Sequence, residues 1–308
     1  MNRHIPDMNS LITTKEQTQN SLINTVKEKQ KILNEFHKDI AKVKEKLSQI
    51  QSVNELKNTE ELFPILLIAA GVSEKSIPQL SPESKEGIIN SFIKTINDEN
   101  FREKIFYNFI LMKGDALGGS IRNQIGTTGE EKFVSTLIRE LRNEDIDFFC
   151  IEKTNKKWQK NSYKNIVDIQ GLYWKIGEKE RLLFLRKKLP LISKNVDICL
   201  CNSNMTEYRQ KDILRNIHKV IMVGEIKSGA DPAGADEHWK TANTALKRVR
   251  EGYSDNTHRV LTSIIANAIT QHMAKEIYEQ LHSCVLDGVA NLNNESQVTE
   301  YCKWIISL

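Results

Sequence analysis

A mixed α/β fold, with a central β-sheet flanked by helices and a helical region before it, is what this sequence predicts. Three observations lead there: an apolar stripe at helical spacing near the N-terminus, a cluster of short β-branched and aromatic runs from about residue 148, and a strand–helix–strand succession across 220–265. No internal repeat is visible at any period.

The stripe is Phe36, Ile40, Val43, Leu47 and Ile50, spaced 4, 3, 4 and 3, which lines one side of a helix. Between Lys27 and Lys46, seven lysines and four acids occupy the sides it leaves free. Such a run is a solvated face, a basic helix for phosphates, or a partner in a short coiled coil. Turn signals follow at Ser76-Ile77-Pro78 and Ser81-Pro82-Glu83-Ser84, the second able to cap a helix through Ile89, Phe92 and Ile96. Residues 101–112 and 121–141 read as two helices interrupted at Gly114, Gly118 and Gly119. Strands are expected at 148–151, 172–176, 182–185, 196–200, 220–226 and 260–265, with a helix over 232–252 whose Pro232 suits a first turn. The change of texture divides the chain into a helical region, 1–100, and a sheet-bearing domain, 101–308.

Composition narrows the function classes. With 308 residues, 39% hydrophobic and 27% charged, the chain can bury a sizeable core, which excludes disordered and collagen-like readings. The longest apolar run, 62–72, holds 11 residues and contains Pro64, against roughly 20 needed to cross a bilayer. The opening MNRHIPDMNS has no apolar signal stretch, so a cytoplasmic location is expected. Five cysteines, at 150, 199, 201, 284 and 302, show no zinc spacing and read as reduced core thiols, with Cys199 and Cys201 sharing one side of a strand. Lys plus Arg exceed Asp plus Glu by 44 − 40 = 4, a mildly basic balance compatible with a nucleic-acid partner.

The chemistry-bearing residues lie on two strands. The apolar run from Val220 ends in Glu225-Ile226-Lys227, and the period of two puts both charged side chains on the same side. Upstream, Lys194-Asn195-Val196-Asp197-Ile198-Cys199-Leu200 is a second apolar strand holding one acid. If the strands are neighbours, Asp197 and Glu225 share a hard cation while Lys227 stands beside an attacking water, the equipment of metal-assisted phosphodiester hydrolysis. Taken alone, Glu-x-Lys reads equally as a strand-edge salt bridge, and Glu83-Ser84-Lys85 repeats it on a helix. Next comes a turn of small residues and a helix start carrying Asp231, Asp236, Glu237 and His238. A helix N-terminus suits phosphate, and His238 is placed to orient or deprotonate water.

These segments resemble the AvaI/BsoBI group of type II restriction endonucleases, within the PD-(D/E)xK nuclease superfamily. The similarity is carried by 194–200, by GEIKSGADPAGADEHWKTANTALKRVR (224–250), by KGDALGGSIRN (113–123) and by Cys302-Lys303-Trp304-Ile305-Ile306; it is weaker but collinear across 55–308. Val196 precedes the first acid where the superfamily has proline, and Ser228 and Ala230 replace an expected Gly and Ile. The resemblance implies a homodimer that embraces double-stranded DNA with its helical region, cuts both strands with Mg²⁺ to leave 5′ overhangs, and reads C-Y-C-G-R-G. It further implies metal binding by Asp197 and Glu225, water steering by Lys227 with help from His238, and base contacts by Lys194, Asp231, His238 and, less securely matched, Lys75. A cognate DNA methyltransferase follows from the lifestyle of such enzymes, as a functional partner without direct contact. The alternatives are a repair or structure-specific nuclease, and a DNA-binding protein with a dead site.

Other features are open between two readings. Lys156-Lys157-Trp158-Gln159-Lys160 with Tyr163 and Lys164 is a loop, either plain or gripping backbone phosphate. Lys247, Arg248 and Arg250 at the end of the 232–252 helix favour its dipole or touch DNA. The glycines of 114–119 lack the lysine and spacing of a P-loop.

Overall fold

The computed structural model describes residues 5–96, 99–210 and 212–308. The chain forms two compact units, one made of residues up to Asn24 together with Ile125–Leu308, the other of Thr25–Gln124.

The first unit is built on an eight-stranded sheet of order β2-β1-β3-β4-β5-β6-β7-β8. Its strands are β1 (Phe148–Glu152), β2 (Trp158–Lys160), β3 (Ile169–Ile176), β4 (Lys179–Leu189), β5 (Lys194–Asn202), β6 (Val220–Lys227), β7 (Leu261–Ala266) and β8 (Gly288–Asn291). Pairing is antiparallel from β2 through β6 and parallel from β6 to β8. The parallel steps require crossovers, and α5 (Pro232–Tyr253) and α6 (Gln271–His282) supply them.

Helices cover both faces of the sheet. One face packs Phe148, Leu172, Trp174, Leu183, Ile198 and Met222 beneath Phe133, Leu137 and Leu141 of α4 (Phe101–Asn143) and Tyr301 and Ile305 of α7 (Glu295–Ser307). On the other, Trp239, Ala242 and Leu246 of α5 and Met273 and Ile277 of α6 bury Ile264 and Val289, while Val249 and Tyr253 meet Phe184, Cys199 and Val223. The Sγ atoms of Cys199 and Cys201 lie 3.9 Å apart in that second layer, on one side of β5 as alternation required.

The second unit has its own core. Val43 and Leu47, on α1 (Lys15–Ser48), and Ile50 just beyond it, all from the stripe, are buried with Leu66 of α2 (Phe63–Ala69), Ile89 and Phe92 of α3 (Pro82–Thr95) and Ile105 of α4. Ser81 caps α3 as expected, its hydroxyl accepting from the Ser84 N–H at 3.2 Å, with Pro82 in the first turn.

Three expectations change. The units are cut at 24/25 and 124/125 rather than at residue 100, because the leading segment folds with the sheet. Leu11 is fully buried among α5 and α6 side chains, Thr13 N–H donates to the Ile269 carbonyl at 3.0 Å, and Asn291 Nδ2 donates to the Leu11 carbonyl at 2.9 Å. The glycines do not interrupt α4, which runs unbroken for 43 residues. Each glycine costs about 1 kcal/mol relative to alanine, yet no proline stands in the span, and buried residues anchor both ends. The 156–160 stretch, read as a loop, supplies the edge strand β2, with Trp158 edge-on to Tyr208 at 5.3 Å.

Among the described residues no helix is long and apolar enough to cross a membrane.

Candidate active site

The register of β5 against β6 pairs Ile198 with Gly224, so the next antiparallel position sets Asp197 opposite Glu225, on one side of the sheet. Asp197 Oδ2 accepts from the Ile226 backbone N–H at 2.7 Å, which fixes its carboxylate across the strand gap. Lys227 Nζ donates to Glu225 Oε2 at 2.6 Å. Glu225 is buried and the Lys227 side chain is 22% exposed, so this ion pair sits at the mouth of the site. Gly224 is required for the close packing behind it: a Cβ there would lie 2.7 Å from Ser263 Oγ.

Burial dominates the electrostatics. It pushes the Asp197 carboxyl above its ordinary range, against the opposing pull of Lys227, the Ile226 N–H and Arg186. Glu225 is also raised, by burial first and then by the Asp197 charge, with Lys227 and Lys194 pulling it back. A half-buried and a buried carboxylate facing one another, with only Lys227 in direct contact, form a pair that suits a divalent cation. Among the described residues no group of three or more His, Cys, Asp or Glu side chains is poised around one point. Mg²⁺ takes one or two carboxylates and completes its shell with water and phosphate oxygens, so the Asp197/Glu225 pair fits it.

Sequence reasoning missed two groups. Glu130 of α4 is buried and forms an ion pair with Arg186, and the Asp197 charge acts on it. Burial pushes Glu130 from 4.5 up to about 7. A carboxylate one turn before Phe133 and Val134, on the helix side that enters the core, was the readable signal. Arg186 of β4 adopts φ 52°, a left-handed conformation that a non-glycine residue holds only when its surroundings enforce it. There its guanidinium donates to Glu130 and, at 2.7 Å, to the Ile169 carbonyl. No sequence signal marks that turn of the backbone.

Ser228, just past the end of β6, has a structural task. Ser228 Oγ donates to the Gly126 carbonyl at 2.9 Å and accepts from the Gly129 N–H at 3.2 Å, tying the end of β6 to α4. A Cβ on Gly129 would fall 2.2 Å from that Oγ and 2.9 Å from Leu292 Cδ1. Gly129→Ala is therefore expected to destabilise the fold by about 1–3 kcal/mol despite alanine's better helix propensity, as read by urea denaturation.

The remaining expected residues are distributed unevenly. Lys194, exposed at the start of β5, shares a groove with Glu225. Asp231 is the N-cap of α5, its carboxylate accepting from the Ala233 N–H at 3.0 Å. His238 is exposed, with Nε2 3.5–3.6 Å from where Cβ atoms on Gly234 and Gly229 would stand. Among the described residues no hydrogen bond joins it to Asp197, Glu225 or Lys227. Lys75 is exposed in the helical unit, where its carbonyl accepts from Gln79 Nε2 at 3.2 Å.

A mixed sheet with helices on both faces and a carboxylate pair plus lysine on its central strands defines a restriction-endonuclease-like α/β protein. The family described as Restriction endonuclease BsobI matches residues 1–308, and the chain belongs to that family. It is 35% identical to "Type II restriction enzyme AvaI" of Nostoc sp. (strain PCC 7120 / SAG 25.82 / UTEX 2576) and to the same-named enzyme of Anabaena variabilis, over 99% of this chain and 98% of theirs. It is 33% identical to "Type II restriction enzyme BsoBI" of Geobacillus stearothermophilus, over 99% of this chain and 97% of the relative.

Proposed function

We propose that this chain is a Mg²⁺-dependent, homodimeric type II restriction endonuclease that cuts both strands of double-stranded DNA within C-Y-C-G-R-G and leaves 5′ overhangs. The observation that carries the reading is the pairing of Asp197 with Glu225 across β5 and β6, with Lys227 in contact, in a chain of this family. Asp197 and Glu225 hold the cation, which supplies Lewis-acid stabilisation of the charge developing on the phosphate. Lys227 orients the attacking water and stabilises its forming hydroxide; water oxygen bonds to phosphorus as the bond to the leaving oxygen breaks. His238 assists as proton acceptor or through a base or phosphate contact. Lys194 donates to guanine and Asp231 accepts from a cytosine amino group, Asp231 keeping lone pairs beyond its capping bond. The helical unit that carries Lys75 embraces the duplex, and a methyltransferase of matching specificity protects the host.

Digestion of a plasmid followed by sequencing of the fragment ends tests target and cut position together. Discrete fragments with 5′ ends inside C-Y-C-G-R-G are expected, and chelation with EDTA is expected to stop cleavage. Smears or branch-dependent nicks would give the protein to repair chemistry, and intact supercoiled DNA in Mg²⁺ and Mn²⁺ would leave a binding protein.

A further inference from the structure

We propose that the outer side of α5 is a binding track for the DNA sugar–phosphate backbone, running from the carboxylate site to Arg248 and distinct from the base contacts assigned to Lys194 and Asp231. The inference rests on the nuclease reading above and adds a site to it.

The helix register sets the track. Ala235, Trp239, Ala242, Leu246, Val249 and Tyr253 recur at 4, 3, 4, 3 and 4 and are buried against the sheet. The opposite side carries Glu237, Lys240, Thr241, Thr244 and Arg248, which line a groove of about 360 Å³ together with Lys194 and Glu225. One end of the groove is thus a carboxylate of the candidate metal pair.

The cations on this side are unspent. Among the described residues neither the Lys240 ammonium nor the Arg248 guanidinium has an acidic partner. Their neighbours are committed elsewhere: Lys247 lies 3.9 Å from Glu251, and Arg250 donates to Thr262 Oγ1 at 3.0 Å. The structure therefore separates three cations that the sequence left equivalent and turns one of them into the groove. Lys240 and Arg248 are eight residues apart, about 12 Å along the axis, which matches three to four nucleotides of one strand. Lysine supplies a point charge, arginine a bidentate fork, and the Thr241 hydroxyl a neutral donor, a set matched to successive phosphate oxygens. Glu237 is the α5 acid that lines the groove, and the groove as a whole, with Lys194, Lys240 and Arg248 against Glu225 and Glu237, carries more positive than negative charge. A neutral or anionic small substrate would not need cations spread over this length; a polyanion does.

The test uses the Lys240→Ala/Arg248→Ala double variant and fluorescence anisotropy in Ca²⁺, with one duplex containing CCCGGG and one scrambled duplex, from 50 to 200 mM salt. Binding to both duplexes is expected to weaken by a similar factor, on the order of tenfold or more, and the slope of log affinity against log salt to shrink by about one for each cation removed from the complex. Lys303→Ala, on α7 over the other face of the sheet, should change neither quantity; thermal melts confirm folding. Unchanged affinity and slope on both duplexes would overturn the track, as would a loss confined to the CCCGGG duplex, which signals base reading. If the wild-type protein neither cuts nor prefers CCCGGG, the nuclease reading fails by itself, while the scrambled duplex still reports on the track.

Discussion

Asp197→Asn is expected to abolish cleavage and, at the same time, to make the metal-free protein more stable at pH 8. The loss of rate should be roughly 10³-fold or more, since in the proposed mechanism this carboxylate would anchor a cation that contributes several kcal/mol of charge stabilisation in the transition state. The gain in stability follows from the direction of the titration. The Asp197, Glu225 and Glu130 carboxyls all stand above their ordinary range, with burial as the largest cause. A carboxyl raised in the folded state binds more protons there than in the unfolded chain, so stability falls as pH rises from the unfolded value to the folded one. For Glu130 that window runs from 4.5 to about 7, and above it the cost of holding the charge is fully present. Asparagine keeps the acceptor for the Ile226 N–H and removes the half-buried charge. Each kcal/mol relieved should raise the melting temperature by roughly 2–4 °C. Calorimetry at pH 5 and pH 8 checks it: the variant should gain at pH 8 and little at pH 5. Unaltered cleavage would remove Asp197 from the site, and a stability loss at pH 8 would mean its charge is compensated in the metal-free fold. Specific binding to a CCCGGG duplex in Ca²⁺ should persist, because Lys194, Asp231 and the helical unit are untouched.

The sheet was legible wherever a strand carried its own apolar run, because β-branched residues such as Val220, Val223 and Ile226 favour a pleated, buried strand. β8 was not, since Gly288-Val289-Ala290-Asn291 is short and is buried by distant segments: Trp304, which would lie 2.3 Å from a Cβ at Gly288, and α6, which covers Val289. The clustering of Asp197, Glu225 and Lys227 was legible because alternation places Glu225 and Lys227 together regardless of tertiary context; pairing with β5 had only to supply Asp197. Glu130 and Arg186 reach the site through a helix and a left-handed strand residue separated by more than fifty positions, contacts that no local pattern encodes. Helix α4 misled because glycine weakens helices by about 1 kcal/mol each, a preference that tertiary anchoring at both ends overrides. The lysine-rich face of α1 and the basic end of α5 show the same limit: charge is readable from sequence, its orientation is not.

Lys227→Ala separates the lysine's two possible contributions, and the effect should rival that of Asp197→Asn. As a counter-charge, Lys227 holds Glu225 and Asp197 closer to their ionised forms, and its removal favours a proton shared between the two facing carboxylates. Metal binding then competes with that proton, so the variant should need higher pH to bind Mg²⁺ or Mn²⁺, with binding recovered as the pH is raised. As the group beside the water, Lys227 cannot be replaced by the metal, so single-turnover cleavage at saturating metal and pH 8.5 should remain roughly 10²–10⁴-fold slow. Lys227→Arg keeps the charge but moves the donor, and is expected to restore metal binding without restoring the rate. Full recovery of rate in the alanine variant once metal saturates would reduce the lysine to charge balance. His238→Ala in the same assay is the contrast: an exposed ring with no bond to the carboxylates can act on the water only once DNA is bound. A rate loss at saturating DNA would place His238 with the water, and a loss of affinity alone would place it with the DNA.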